Sequence, residues 1–263
     1  MLASPCYIFS DIHLGFAPAD VERQLRGFLR DLRGRAGSVV INGDLFEFWF
    51  EWRRVMPRAG FRVLSAIADL TDDGVPVLMI GGNHDCWGGE ILRADAGVDF
   101  QLGPWRGEVA GWRACIEHGD GLRDREDRRY RALRAVLRNP LAIRAFRWIH
   151  PDWATALAGG SSHASRSYAA RDGGRGLRQV AEHRLAADPS LDLLVFGHSH
   201  VPALERMPTG GIYANAGSWL DAPTFLRVTP ERVELRRWDG SAEGVALDVV
   251  DRAAQKTLSQ GEE

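Results

Sequence analysis

Five short apolar runs in this 263-residue chain each end in a cluster of Asp, Asn, His and Gly. Tyr7-Ile8-Phe9 leads into Asp11-Ile12-His13, and Ser38 to Ile41 leads into Gly43-Asp44. Val77 to Ile80 leads into Gly82-Asn83-His84-Asp85, Ala114-Cys115-Ile116 into His118-Gly119-Asp120, and Leu193 to Phe196 into Gly197-His198-Ser199-His200. Apolar runs this short, bounded by polar turns, read as buried strands. Between the first three lie two helical stretches. Residues 19–34 carry Val21, Leu25, Phe28, Leu29 and Leu32 at helical spacing and end near Gly34. Phe61 to Leu70 forms the second and stops around Gly74. This β-α-β-α-β order requires parallel strands with crossover helices. Open α/β sheets bind ligands beyond the carboxyl ends of their strands, so local structure alone predicts that distant motifs meet at one edge.

Beyond residue 200 the chain reads as strands and turns: Gly211 to Ala214, Phe225 to Val228, Val233 to Trp238 and Val245 to Val250. A second sheet packed on the first is expected. Residues 119–175 break the pattern with twelve Arg and six acidic residues, a formal +6 against −2 for the whole chain. Leu133, Val136, Leu137, Leu141, Ile143, Phe146, Trp148 and Ile149 recur among the arginines, and Asn139-Pro140 and His150-Pro151 interrupt the helical spacing. The expected organisation is one domain over 1–252, a helical cap inserted at 121–174, and a fraying tail at 253–263.

Composition excludes several classes. The chain is 45% hydrophobic, enough for a buried core, and its small net charge names no partner. Cys6, Cys86 and Cys115 are an odd, irregularly spaced set, which argues against a disulfide framework and suits a reducing cytosol. Neither a secretion signal nor an apolar run of the roughly 18 residues that span a bilayer is expected here. A cytoplasmic protein follows, at most peripheral on the inner membrane face.

The motifs carry metal-ligand chemistry. Asp11 and His13 lie two apart at a strand end and can reach one metal. The two oxygens of Asp44 can bridge a pair of cations. Asn83 offers a neutral carbonyl oxygen, and His118, His198 and His200 offer imidazole nitrogens. Oxygen and nitrogen ligands without thiolate suit Mn, Fe, Co or Zn, leaving the choice open. Two dications outweigh two aspartates and one hydroxide, so such a site attracts anionic phosphate oxygens. His84 is the spare imidazole, placed to stabilise developing charge or protonate a leaving oxygen, with Asp85 as its expected orienting partner. Any one motif alone is weak, and a turn or cap would usually explain it. The ordered set is far stronger.

The set resembles the calcineurin-like metallophosphoesterase family over nearly the whole chain. The resemblance implies α/β architecture of a specific kind: a four-layer α-β-β-α sandwich holding two divalent metals. It implies one metal on Asp11, His13, Asp44 and His200, and the other on Asp44, Asn83, His118 and His198. It implies a catalytic or phosphate-contacting role for His84 with Asp85 as partner, and a structural Asn215-Ala216-Gly217-Ser218 turn. Within the family, Gly43-Asp44-Leu45-Phe46-Glu47-Phe48-Trp49 is similar to UDP-2,3-diacylglucosamine diphosphatases of lipid A synthesis. So is His118-Gly119-Asp120-Gly121-Leu122, followed by Asp127 and Tyr130. The similarity implies Mn-dependent cleavage of a UDP-linked diacylated sugar at the inner face of the cytoplasmic membrane. This chain departs from many of those enzymes at His84, where they carry Arg. Their substrate-contacting Lys residues are also unmatched, and Arg166 and Arg171, after Ser161-Ser162, are the candidates to replace them.

The cap's mixture of Arg and apolar residues fits a lipid pyrophosphate and an anionic membrane surface. An amphipathic helical pair with a solvated basic face fits it equally. Asp127 and Tyr130 are candidate substrate contacts, although Asp127 has many Arg neighbours to pair with. Trp49, Phe50 and Trp52 read as packing, and Glu47 has no assigned role. Two other readings stand beside a phosphorylated lipid or small-molecule substrate. One is a broader phosphoesterase of nucleotides, phosphoproteins or nucleic-acid ends, disfavoured for nucleic acid by the lack of a recognisable binding module. The other is an inactive scaffold of the same fold, disfavoured by the complete ligand set.

Overall fold

The computed structural model describes residues 1–123, 126–156 and 172–252. The predicted β-α-β-α-β unit is present as β1 (Cys6–Phe9), α1 (Ala19–Leu32), β2 (Ser38–Asn42), α2 (Phe61–Asp72) and β3 (Val77–Gly81). After them come β4 (Asp99–Leu102), β5 (Trp105–Val109), β6 (Trp112–Ile116), α3 (Arg128–Leu137), α4 (Pro140–Phe146), α5 (Arg175–Ala187) and β7 (Leu193–Phe196). The chain closes with β8 (Ala203–Arg206), β9 (Ile212–Asn215), β10 (Thr224–Val228), β11 (Arg232–Arg237) and β12 (Val245–Asp251). Two sheets result, one ordered β12-β11-β10-β1-β2-β3-β4 and the other β5-β6-β7-β9-β8.

Strand parity divides the apolar side chains between layers. Tyr7, Phe9, Val39, Ile41, Val77 and Met79 face α1 and α2, which bury Phe28, Leu29, Val63 and Ile67 against them. Cys6, Ile8, Val40, Leu78 and Ile80 point the other way and meet Ala114, Ile116, Leu193, Val195, Ile212 and Ala214 of the second sheet. Successive strand residues face opposite sides, so a strand buried on both faces is apolar throughout. The remaining parity of the second sheet, with Cys115, Leu194, Phe196 and Tyr213, packs on Leu177, Ala181 and Leu185 of α5. The order of layers is thus α-β-β-α, the expected sandwich.

Sequence reading missed β4, β5, β8 and α5. The β5 sequence Trp-Arg-Gly-Glu-Val is not an apolar run, and β5 lies at the edge of its sheet. It is positioned by a hairpin to β6 through Ala110 and Gly111, both at positive φ (48° and 82°), the twist that two-residue hairpins favour. In α5 only Leu177, Ala181 and Leu185 are buried, a stripe too narrow to stand out among its charges.

The cap is helical where it is described. Asn139 follows the Arg138 C-cap of α3 and caps α4, accepting the Leu141 amide at 2.8 Å, with Pro140 at the first helical position. Residues 151–156 form a further helical turn after His150-Pro151. The cap docks on an aromatic cluster of Phe48, Phe50 and Trp52 with Trp87, Ile143, Phe146, Ile149 and Ala154. Trp52 Nε1 donates to Ile149 O at 3.2 Å and Trp87 Nε1 to Leu137 O at 2.8 Å. Burying each large aromatic here contributes about 2–3 kcal/mol, so the docking is a packed interface. Trp49, stacked on Phe46 with centroids 4.2 Å apart, belongs to the main core. These aromatics are packing, as expected. Arg166, Arg171 and the tail from residue 253 lie outside the described residues.

Candidate metal centre

The predicted ligands leave their strands in a conformation that L-residues rarely adopt. Asp11, His13, Asp44, His198 and His200 have φ of 57°, 55°, 53°, 62° and 60°. Left-handed backbone at a non-glycine residue carries strain of about 1–3 kcal/mol where the surroundings impose it, and such outliers gather at functional sites. Each loop turns sharply off its strand and aims a side chain across the sheet edge. The loops are laced together: His13 N donates to Asp44 O at 3.0 Å, and Leu14 N to Leu45 O at 2.9 Å.

The side chains gather into overlapping sets. Asp11, His13 and His200 place ligand atoms within 4.8 Å of one another, as do Asp44, His118 and His198, and also His13, Asp44 and His84. His200 Nε2 lies 3.3 Å from Asp11 Oδ1 and 3.4 Å from His13 Nε2. His118 Nε2 lies 3.2 Å from Asp44 Oδ2, while its Nδ1 is 2.8 Å from Asn42 O. Donation from Nδ1 to that carbonyl leaves Nε2 as the ligand atom. Asn83 Oδ1 is buried without a hydrogen-bond partner among the described residues. Buried polar atoms are normally satisfied, so an orphaned carbonyl oxygen beside clustered imidazoles and carboxylates fits a divalent cation.

Electrostatics point the same way. Burial works against charge on Asp44, yet His118, His84 and His13 hold its carboxyl well below the usual carboxylate range. Burial likewise opposes a charged His118, but Asp44 outweighs it and raises that imidazole well above its ordinary value. His198 is pushed down to about 4 by burial and by the neighbouring His118, so it is a neutral donor. Without a cation, protons must hold these groups together.

Glycines make the close approaches. A Cβ at Gly43, whose φ is 84°, would fall 2.3 Å from His118 Nδ1, and one at Gly82 would fall 2.2 Å from Asp44 Oδ1. The trailing Asn215 to Ser218 turn is structural, as expected. Asn215 Nδ2 donates to Gly197 O at 2.9 Å and Ser218 Oγ to Asp11 O at 3.1 Å.

One expectation is corrected, and Asp127 and Tyr130 are found to make contacts within the cap. Asp85 does not orient His84. Its oxygens accept backbone amides from Gly82 at 2.7 Å and Leu45 at 2.8 Å, with Asp44 N at 3.3 Å, so it clamps the loop that carries Asp44. The His84 ring instead places Nδ1 2.9 Å from Glu47 O, and its amide donates to Asp44 Oδ1 at 3.0 Å. Asp127 is buried and taken up by Arg123, whose Nη2 reaches Asp127 Oδ1 at 2.9 Å; Arg123 also reaches Asp172 at 3.3 Å across the two limbs of the cap. Tyr130 donates to Asp120 Oδ2 at 2.6 Å, and Asp120 also meets Arg134 at 3.4 Å and Arg138 at 3.6 Å. These contacts anchor the cap beside the site. Cys86 is buried, and burial pushes its thiol up to about 12, so it is an inert packed residue.

Sequence reading passed over Glu47. Its Oε2 lies 3.0 Å from His13 Nδ1. A carboxylate three residues past the Asp44 motif was the available signal, but only folding brings it to His13.

A four-layer sandwich with imidazoles, carboxylates and one amide oxygen gathered at its strand ends defines a metal-dependent phosphoester hydrolase. The calcineurin-like phosphoesterase family model matches residues 4–202. A Porphyromonas gingivalis UDP-2,3-diacylglucosamine hydrolase is 32% identical over 221 residues, covering 76% of this chain and 84% of the relative. A Stenotrophomonas maltophilia protein of the same name is 31% identical, covering 83% of this chain and 92% of its own length. A solved dimetal phosphatase from Danio rerio aligns over 94% of this chain and 99% of that one at 12% identity, with a TM-score of 0.49. The chain belongs to the calcineurin-like phosphoesterase family.

Proposed function

We propose that this protein hydrolyses the pyrophosphate bond of UDP-2,3-diacylglucosamine, releasing UMP and the lipid monophosphate, with two divalent cations, Mn foremost. The hydrolase reading is carried by the gathering of ligand atoms into sets linked to one another through His13 and Asp44. The common name of the relatives supports the substrate. Asp11, His13, Asp44 and His200 would hold one cation; Asp44, Asn83, His118 and His198 would hold the other. When bound, such a pair supplies Lewis acidity toward phosphate oxygens and toward water.

The chain's own residues position and protonate. His84 Nδ1, tied to Glu47 O, leaves Nε2 to steady charge on the phosphate or to give a proton to the departing oxygen. Asp85 keeps Asp44 in place through the amides it accepts. Asp127, Tyr130, Arg166 and Arg171 are proposed to contact the substrate.

The division into one domain at 1–252 with a cap at 121–174 belongs to the same reading. The cap is proposed to shelter the acyl chains and to rest on the anionic inner face of the cytoplasmic membrane, as a lipid A pathway enzyme would. Leu141, Trp148 and Trp153 are 76%, 88% and 73% exposed. A cleft of about 710 Å³ is lined by Trp52, Arg53, Leu141, Arg144, Arg147 and Trp148, joining apolar rings to guanidinium groups. No helix among the described residues is long and apolar enough to cross a membrane.

The test is an assay of the purified protein with Mn and UDP-2,3-diacylglucosamine. UMP release is expected. Absence of UMP while a simple aryl phosphodiester is cleaved would overturn the substrate and leave the hydrolase reading standing.

A further inference from the structure

Glu47 stands behind two imidazoles of the site at once. Its carboxylate Oε2 lies 3.0 Å from His13 Nδ1 and 4.0 Å from His84 Nδ1. Its carbonyl oxygen lies 2.9 Å from His84 Nδ1. The carboxylate is only 12% exposed, so it is held against the site instead of ranging in water. Backbone bonds fix its register: Glu47 N donates to Leu14 O at 3.0 Å, one residue past His13. The segment carrying Asp44 and the segment carrying His13 therefore cannot slide without moving Glu47.

The two nitrogens of His13 are used differently. Nδ1 faces Glu47, while Nε2 faces His200 Nε2 at 3.4 Å. A neutral imidazole that donates from Nδ1 presents its lone pair at Nε2. The charge of a carboxylate 3.0 Å from Nδ1, a close approach outside hydrogen-bonding geometry, favours that tautomer and makes Nε2 a stronger donor toward a cation. His118 gets the equivalent support from a backbone carbonyl, Asn42 O at 2.8 Å. Of these two imidazoles, only His13 is backed by a full charge.

We propose that Glu47 is a positioning residue, whose carboxylate sets the His13 tautomer and thereby the affinity of the cation held by Asp11, His13, Asp44 and His200, with its carbonyl fixing His84 in the same loop. The proposal rests on the two-cation reading. It predicts an asymmetric defect, because the imidazoles that the Glu47 carboxylate approaches are those of His13 and His84.

The test is Mn binding followed by electron paramagnetic resonance of the free ion, in the parent, Glu47→Ala and Glu47→Gln. Glu47→Ala is expected to weaken one of two Mn sites by about 10–100-fold and leave the other within about twofold. Glu47→Gln, which keeps an acceptor without the charge, should fall between. Long-range proton–nitrogen spectra of the metal-free protein supply a second readout. His13 should be the Nδ1–H tautomer in the parent and a mixture in Glu47→Ala. Unchanged Mn affinities, equal weakening of both sites, or an unchanged His13 tautomer would overturn the proposal. A parent that binds no Mn would overturn the two-cation reading and this proposal with it.

Discussion

His118 points Nε2 at Asp44 Oδ2 across 3.2 Å, and both side chains are almost wholly buried. A buried carboxylate and imidazole in this geometry need a proton or a cation between them, since removing both leaves two lone pairs face to face in a low-dielectric setting. The same carboxylate lies within ligand reach of His13 and His84. Asp44 thus joins two of the three ligand sets, and His13 links them to the third.

Asp44→Ala should abolish binding of both cations as a tight pair and lower turnover by on the order of a thousandfold or more, because a metal pair supplies several kcal/mol of transition-state stabilisation. Metal content after dialysis, measured beside hydrolysis, checks this. Parental metal content with parental turnover would remove Asp44 from the centre.

His84→Ala should keep both cations and lower kcat by about 10²–10⁴-fold, the range for loss of a positioned acid or base. The separation from Asp44→Ala is the informative result. A metal-depleted His84→Ala protein would make His84 a ligand, consistent with its place beside His13 and Asp44.

Metal uptake should release protons and weaken as the medium becomes more acidic. Asp44 overcomes burial and raises His118 well above the usual imidazole value, so the metal-free protein holds a proton there at neutral pH. A raised pKa means that the proton is bound below that value and must be displaced by the cation. Mn affinity should therefore fall on going from about pH 8 to about pH 6. Titration calorimetry in two buffers of different ionisation enthalpy would detect the released proton.

Glu51→Ala should destabilise the fold more than it alters metal binding. The buried Glu51 carboxylate accepts amides of Gly89 at 2.8 Å, Ile91 at 2.9 Å and Leu92 at 3.3 Å, and Trp49 Nε1 at 3.2 Å. It thereby caps the π-helical turn at Ile91–Asp95. Losing a buried charged acceptor with several donors should cost about 2–4 kcal/mol in denaturant unfolding, with Glu51→Gln costing less. An unchanged midpoint would show that water replaces the carboxylate freely.

Trp148→Ser together with Trp153→Ser should reduce binding to anionic vesicles severalfold and leave cleavage of a soluble aryl phosphodiester unchanged. Both rings are exposed on the cap and are not members of the buried core clusters. Sedimentation with vesicles of anionic and of neutral lipid checks the prediction. Equal binding by parent and variant would leave the cap without a membrane role.

Much of this was legible in the sequence because it is local. Helix α1 was expected at 19–34 and runs Ala19–Leu32; α2 was expected to end at Leu70 and runs to Asp72. Their apolar spacing and glycine stops lie within each segment. The strand-end ligands were legible because a strand buried on both faces is apolar until it emerges, so the first polar residues mark the sheet edge. Illegible features depend on partners distant in sequence. The β5 edge strand depends on its hairpin partner, and the Arg123–Asp127–Asp172 contacts depend on the cap closing on itself. The expected Asp85–His84 partnership failed because adjacency in sequence says little about direction. Backbone amides of the Asp44 loop took the carboxylate first.

The sequence by itself determined the β-α-β-α-β unit and which Asp, Asn and His residues stand at strand ends, since hydrophobic periodicity and strand-end position are properties of single segments; the four-layer order was implied by the family resemblance. Only the tertiary structure decided which atoms of those ligands face one another. That depends on loops bent into left-handed backbone, on glycines that admit close approach, and on carboxylates arriving from elsewhere. Asp44 comes to lie between His118 and His13, and Glu47 behind His13, because two parallel strands end side by side and their loops bond to each other.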